Sequence, residues 1–334
     1  VRTATALVLL ALLLLAAVVV AAGVGPYRIA PPDVAAAMLR RILGRPAEGP
    51  VDTVLFSIRL PRVLAAALVG AALAAAGAAY QSLFRNPLVS PDILGVSTGA
   101  GLGAVLGILL GLPVAAVQLL GFAGGLLTVA TVAGLARALR GGGDVLVLVL
   151  AGIVIGALAG ASISLAKVLA DPYDQLPAIT FWLLGSLSGV KAGDVAATLP
   201  AVLAGLAPLV LYRWRIGVLS LGDDEARALG VDVARLRLVV IGAATLATSA
   251  VVAISGVIGW VGLMVPHMAR LLVGPRFDRL LPASVLLGAA FMVAVDTLAR
   301  SAARIEIPLG VLTALIGGPV FVVLLARGRR RAAA

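Results

Sequence analysis

Ten apolar stretches of roughly bilayer-spanning length run through this chain of 334 residues, and that repetition leaves few folds open. In hydrocarbon each backbone N–H and C=O must find its partner inside the protein, so an isolated stretch of about 20 apolar residues crosses as a helix. The stretches lie at about residues 4–25, 62–83, 93–111, 114–137, 146–170, 192–212, 236–256, 257–273, 280–301 and 308–327. The first ends in Ala21-Ala22-Gly23, which looks like a signal-peptide cleavage region. Its apolar run is longer than the roughly 7–15 residues of a signal peptide, so it reads as a retained transmembrane helix. The expected fold is all-α, one domain over residues 1–334, polytopic in the membrane, with ten spans and both termini on one side. One polar segment, residues 219–237, interrupts the pattern and offers a soluble partner a grip.

Charge assigns the sides. With the N-terminus inside, sixteen of the 26 basic residues fall on inner segments, including the C-terminal cluster Arg327, Arg329, Arg330 and Arg331. That bias follows the positive-inside rule. The net charge is +11, but the basic residues sit between apolar spans, not on a polar, aromatic-bearing surface, which excludes nucleic acid as a partner. One outer segment departs from the rule: Arg28, Arg40, Arg41, Arg45, Arg59 and Arg62, joined by Arg300 and Arg304 on the same face. Such residues either snorkel to the interface or form a basic platform for an acidic partner.

Several chemistries are closed. The chain holds no cysteine and a single histidine, His267, so thiolate catalysis, Cys-based metal sites and an H-E-x-x-H zinc site are impossible. His267 reads as a metal or haem ligand or as a packing or gating polar contact; its place beside Pro266 favours the second. No acid lies mid-span, where ion-coupled carriers place theirs. Asp296 comes closest, with Arg300 at the i,i+4 spacing of an ion pair. No G-x-x-x-x-G-K-[ST] loop is present, so any ATP must bind another subunit. Small residues recur every fourth position at Gly103, Gly107 and Gly111 and at Gly152, Gly156 and Gly160. They read as close helix packing or, with Ser162 and Ser164, as the lining of a pathway.

The polar segment has helical logic. In Leu221-Gly222-Asp223-Asp224-Glu225-Ala226-Arg227-Ala228-Leu229-Gly230-Val231, Gly222-Asp223 can cap a short helix, acids fill its first turn and Gly230 ends it. Ala226, Leu229 and Val233 form its apolar side.

Ordered blocks then carry a resemblance. They are Arg59-Leu60-Pro61-Arg62, with Pro61 suited to start a helix; Gln81-Ser82-Leu83-Phe84-Arg85-Asn86-Pro87-Leu88; Pro91-Asp92-Ile93-Leu94-Gly95-Val96-Ser97-Thr98-Gly99-Ala100; Phe181-Trp182-Leu183-Leu184-Gly185-Ser186; the run from Gly256 through Trp260, Pro266 and His267 to Arg270; and Ile307-Pro308-Leu309-Gly310 with Thr313, Gly317, Pro319 and Phe321. Together they resemble the FecCD-type permeases of iron-siderophore, haem and vitamin B12 ABC importers, with Val89-Ser90 as a departure from the usual pattern.

The resemblance implies a type II importer fold and a homodimer in a bacterial or archaeal cytoplasmic membrane, joined by two ATPase subunits and an extracytoplasmic substrate-binding protein. ATP and Mg would bind the ATPases, with no cofactor, metal or catalytic residue on this chain. It implies that a loop over about 217–235, with Gly222, Asp223, Asp224, Glu225, Ala226, Arg227, Leu229 and Gly230, couples to the ATPase. Arg59, Arg62 and Arg300 would dock the binding protein, the fifth and tenth spans would line the pathway, and residues 140–147, with Gly142, Gly143 and Asp144, would form the inner gate. The alternatives are a secondary carrier or channel working without an ATPase and, behind it, a membrane enzyme.

Overall fold

The computed structural model describes residues 2–46, 49–139 and 145–332. Among the described residues every regular element is helical. The chain runs through α1 (Arg2–Gly23), α2 (Pro31–Ile42), α3 (Gly49–Asp52), a π-helical turn (Thr53–Arg59) and α4 (Leu60–Leu83). A 3-10 turn (Pro91–Leu94) leads to α5 (Val96–Leu109), α6 (Val114–Ala138), α7 (Val145–Leu169), α8 (Gln175–Leu184) and α9 (Ala192–Leu211). Two short helices follow, α10 (Arg213–Leu219) and α11 (Asp223–Ala228), then α12 (Val233–Ser255), α13 (Val261–Val273), α14 (Phe277–Ala299) and α15 (Leu309–Ala332).

Among the described residues seven helices are long and apolar enough to cross a bilayer: α1, the continuous run Gly49–Leu83, α6, α7, α9, α12 and α14. α5, α8 and α13 have 14, 10 and 13 residues. At about 1.5 Å per residue such helices fall well short of a ~30 Å hydrocarbon layer. Local chemistry explains two of the shortened spans. The 3-10 turn and left-handed Gly95 (φ 78°) remove the first turn of the span expected at 93–111. Gly256 (φ 67°) and Trp260 (φ 70°) unwind the start of the one expected at 257–273.

Pro61 stands at the second position of α4, as its sequence context suggests, but the helical run continues before it back to Gly49. A proline there lacks an N–H and crowds the carbonyl four residues back. The π turn immediately before it widens the helix where that crowding falls. Leu55 and Arg59 of this turn, and Arg62 just after it, are buried.

The core is built around α4, α12 and α14. In their most apolar windows 78%, 72% and 67% of residues are buried, against 17% for α1, 28% for α6 and α7 and 22% for α9. The first three therefore pack on protein, and the other four present most of their surface outward. Close approach depends on glycine: Gly70 lies against the backbone of Gly288 and Gly77 against that of Gly262, where a Cβ would overlap a carbonyl. The α5–α6 hairpin closes the same way, with Gly99 on Gly124 and Gly103 on the Leu120 carbonyl. This is the small-residue packing that substitutes for a hydrophobic driving force in lipid. Gly107 joins it, whereas Gly111 (φ 64°) terminates its helix in open space. On α7, Gly152 packs against Ile93 and Leu94, and Gly160 faces nothing within 4 Å.

Direction follows from a few contacts. α1 and α14 run parallel, with Arg279 donating to Thr3 near their starts and Arg300 donating to the Ala21 carbonyl near their ends. α4 runs against them, placing Arg62 beside Asp296. The molecule thus has an arginine end and, opposite, an end carrying the polar segment 219–237.

Candidate functional site

At the loop end, α11 is held rather than merely exposed. Gly222 (φ 140°) takes the N-cap position with no side-chain capping bond. The Glu225 carboxylate folds back against it, where any Cβ would collide. Asp223 does not cap. Its two oxygens accept from Arg237 Nη2 at 2.9 and 2.8 Å, and Arg85 Nη2 lies 3.6 Å away. Arg85 closes α4 with φ 50°, a conformation costing a non-glycine residue about 1–2 kcal/mol. One acid therefore ties α11 to α12 and to the end of α4.

The helix ends as its sequence predicts. Gly230 (φ 78°) donates to the Arg227 carbonyl at 2.9 Å and Val231 to the Ala226 carbonyl at 3.0 Å, the paired closure of a Schellman motif. Asp232 then caps α12 by accepting from the Arg235 N–H at 3.0 Å. The apolar side divides: Ala226, Val231 and Val233 are buried, while Leu229 is 55% exposed. Leu229 thus faces outward, as do Asp224 and Arg227, which pair at 2.8 Å on the surface.

At the arginine end the three arginines expected to meet a partner are all engaged inside the chain. The last carbonyls of α1 have no partner within their own helix. Arg59 Nη1 donates to those of Ala22 and Gly23 at 2.7 and 3.0 Å, and its Nη2 donates to Tyr27. Arg300 Nη2 donates to Ala21 at 2.5 Å. Positive charge at a helix C-terminus also complements its dipole. Arg62 forms the densest link: Nε donates to Asp296 at 2.8 Å, and Nη1 and Nη2 grip Glu306 at 2.9 and 2.8 Å. Glu306 also accepts from Ser186 at 3.1 Å. The Asp296–Arg300 pair anticipated from i,i+4 spacing is present at 3.6 Å, longer than the Arg62 contact. Burial distinguishes this network, with Asp296 1% and Arg59 3% exposed.

Arg62's link to Glu306 spans 244 positions and was invisible in sequence, where Glu306 is one acid beside an apolar block. Arg237 is one of the sixteen basic residues on inner segments, and nothing local in the sequence pairs it with Asp223. Gly142, Gly143 and Asp144 lie outside the described residues. The His267 ring packs edge-on to Phe321 with centroids 6.3 Å apart, and Trp260 meets Phe321 similarly. Ser162 and Ser164 are exposed and donate to carbonyls of their own helix, Leu158 and Gly160. Among the described residues no group of three metal-ligating side chains comes together.

The family described as the FecCD transport family matches residues 12–327. The molybdate import system permease protein MolB of Haemophilus influenzae is 42% identical over 187 residues, 56% of each chain. The cobalamin import system permease protein BtuC of Halobacterium salinarum is 42% identical over 212 residues, 64% of this chain and 56% of that one. The match thus spans little more than half the length of these relatives. A solved structure described as the inward-facing conformation of a metal-chelate type ABC transporter is 38% identical, covers 96% of this chain and 98% of its own, and superposes with a TM-score of 0.86.

Proposed function

The chain belongs to the FecCD transport family, and from that premise we propose that it is the membrane permease of a binding-protein-dependent ABC importer. It works as a homodimer with two ATPase subunits that carry ATP and Mg. The observation that carries this reading is α11: Asp223, Ala226 and Val231 fasten it to the chain while Leu229, Asp224 and Arg227 stay outward. A helix anchored on one side and presenting an apolar residue between charges suits docking into a groove. Closure of two ATPases would then move α12 and α4 through the Asp223 clamp, as a lever moves packed helices. The loop end faces the cytoplasm, in keeping with positive-inside charge.

The arginine end faces the binding protein. Arg59, Arg62 and Arg300 place positive charge there, and contact with a partner's carboxylate requires exchange of existing partners. Arg62 is the one placed for it, because Glu306 opposite is 27% exposed in its side chain. Residues 140–147, with Gly142, Gly143 and Asp144, serve as the inner gate in this reading. Cargo is iron-siderophore, haem, cobalamin or an oxyanion, selected by the binding protein that delivers it.

The test is co-purification from the native membrane followed by mass spectrometry. A Walker-motif ATPase at equal stoichiometry supports the importer. Leu229→Asp should abolish its association without changing the unfolding temperature of the permease. A chain that purifies alone and moves solute in liposomes without ATP would establish the secondary carrier instead.

A further inference from the structure

A cleft of about 1410 Å³ opens at the arginine end between the end of α1, α2, the π turn and the loop joining α14 to α15. Its walls are apolar: Val19 and Val20 from α1, Val24 just past its end, Val54 and Ile58 from the π turn, and Ala35 from α2. Its rim carries Arg28 and Arg304, both exposed and neither hydrogen-bonded nor ion-paired among the described residues. At its floor the Arg59 and Arg300 guanidiniums converge on Gly25, where a Cβ would sit 3.0 and 3.1 Å from them. Arg300 is 7% exposed, and its Nε is buried with no hydrogen-bond partner. Among the described residues Glu306 is the only acid lining the cleft, and Arg62 already grips it. An unsatisfied positive rim above valine walls calls for a ligand that is anionic at one end and apolar along its length.

We propose that this cleft holds an anionic membrane phospholipid, its phosphate on Arg28 and Arg304 and an acyl chain along the α1 valines. Lipid fits better than an acidic protein because of what surrounds the cleft. Val8, Leu9, Leu12, Leu13, Leu15 and Val19 of α1 are each at least 50% exposed, a surface that hydrocarbon must cover in a spanning helix. The cleft continues that surface. At the other end of α2, Leu39 and Ile42 are exposed beside Arg40 and Arg41, the mix of an interfacial helix. A protein carboxylate would answer the arginines and leave the valines uncovered. Bound lipid would complete the partners of the guanidiniums that hold the end of α1.

The full chain, reconstituted in nanodiscs of phosphatidylcholine mixed with phosphatidylglycerol and then extracted gently, is examined by native mass spectrometry. Phosphatidylglycerol should be retained over phosphatidylcholine. Arg28→Gln and Arg304→Gln should each lower that preference about fivefold, and the double lysine variant should keep most of it. Ala35→Trp, which fills the apolar part and leaves charge unchanged, should release the lipid as well. Unfolding temperatures in phosphatidylcholine alone establish that each variant is folded. Equal retention of the two lipids, or unchanged preference in a folded double glutamine variant, overturns the proposal. Displacement by excess inorganic phosphate would make this an ion site, and displacement by an acidic binding protein a docking surface; either result also overturns it.

Discussion

The two ends of the molecule are both tied by acids between arginines, yet they differ in how deeply those ties lie. At the loop end Asp223 is 25% exposed in its side chain, and its neighbours Asp224 and Arg227 are 93% and 59% exposed. At the arginine end Asp296 and Arg300 are 1% and 6% exposed in their side chains. Water screens the first cluster and solvates any partner left behind when one member is lost. In the second, a lost partner strands a buried charge. Ties at the first end can be broken at small cost; those at the second join α1, α4, α14 and the loop before α15 into one unit.

The difference can be broken by substitution. Asp296→Ala should have the largest effect, about 3–5 kcal/mol of stability, because Arg62 and Arg300 lose their shared buried anion. Unfolding in detergent at the parental midpoint would mean that the buried network does not hold this end. Arg237→Ala removes both hydrogen bonds to Asp223 and should cost about 1.5–3 kcal/mol. Its signature is local, with faster amide exchange in α11 than in α14; uniform acceleration would contradict the clamp. Glu306→Gln keeps one acceptor for Arg62 and should cost about 1 kcal/mol, read as a modest fall in unfolding temperature. Asp224→Ala, in an exposed pair, should stay below about 1 kcal/mol. Added salt should weaken amide protection in α11 and leave the arginine end unchanged; equal sensitivity would erase the contrast.

Much of the loop was legible beforehand. Gly222, Gly230 and the acids between them follow capping rules that act within a few residues, and the structure ends α11 at Gly230 as those rules require. What they could not supply was the destination of Asp223, because Arg237 approaches through the packing of α12. The arginine end was legible only as charge on an unexpected face. The i,i+4 geometry found Asp296 and Arg300, whereas Arg62's links to Asp296 and Glu306 cross more than 230 positions. The span pattern found each of the seven long apolar helices among the described residues. It overestimated the two where Gly95, Gly256 and Trp260 leave the helical region, since hydropathy measures affinity for lipid and not backbone direction.

The sequence by itself determined that the chain is helical and membrane-embedded, where its glycines permit close approach, and that one short capped helix stands apart from the spans. These properties depend on local chemistry: desolvated backbone, missing side chains and caps within a turn. Only the tertiary structure decided which helices are interior, how the π turn before Pro61 turns Arg59 and Arg62 inward, and that Arg59, Arg62 and Arg300 of the outer face are bonded within the chain while, among the described residues, Arg28 and Arg304 are not. Those outcomes depend on which distant backbones and carboxylates arrive at the same place, and a burial cost is incurred or relieved only once they do.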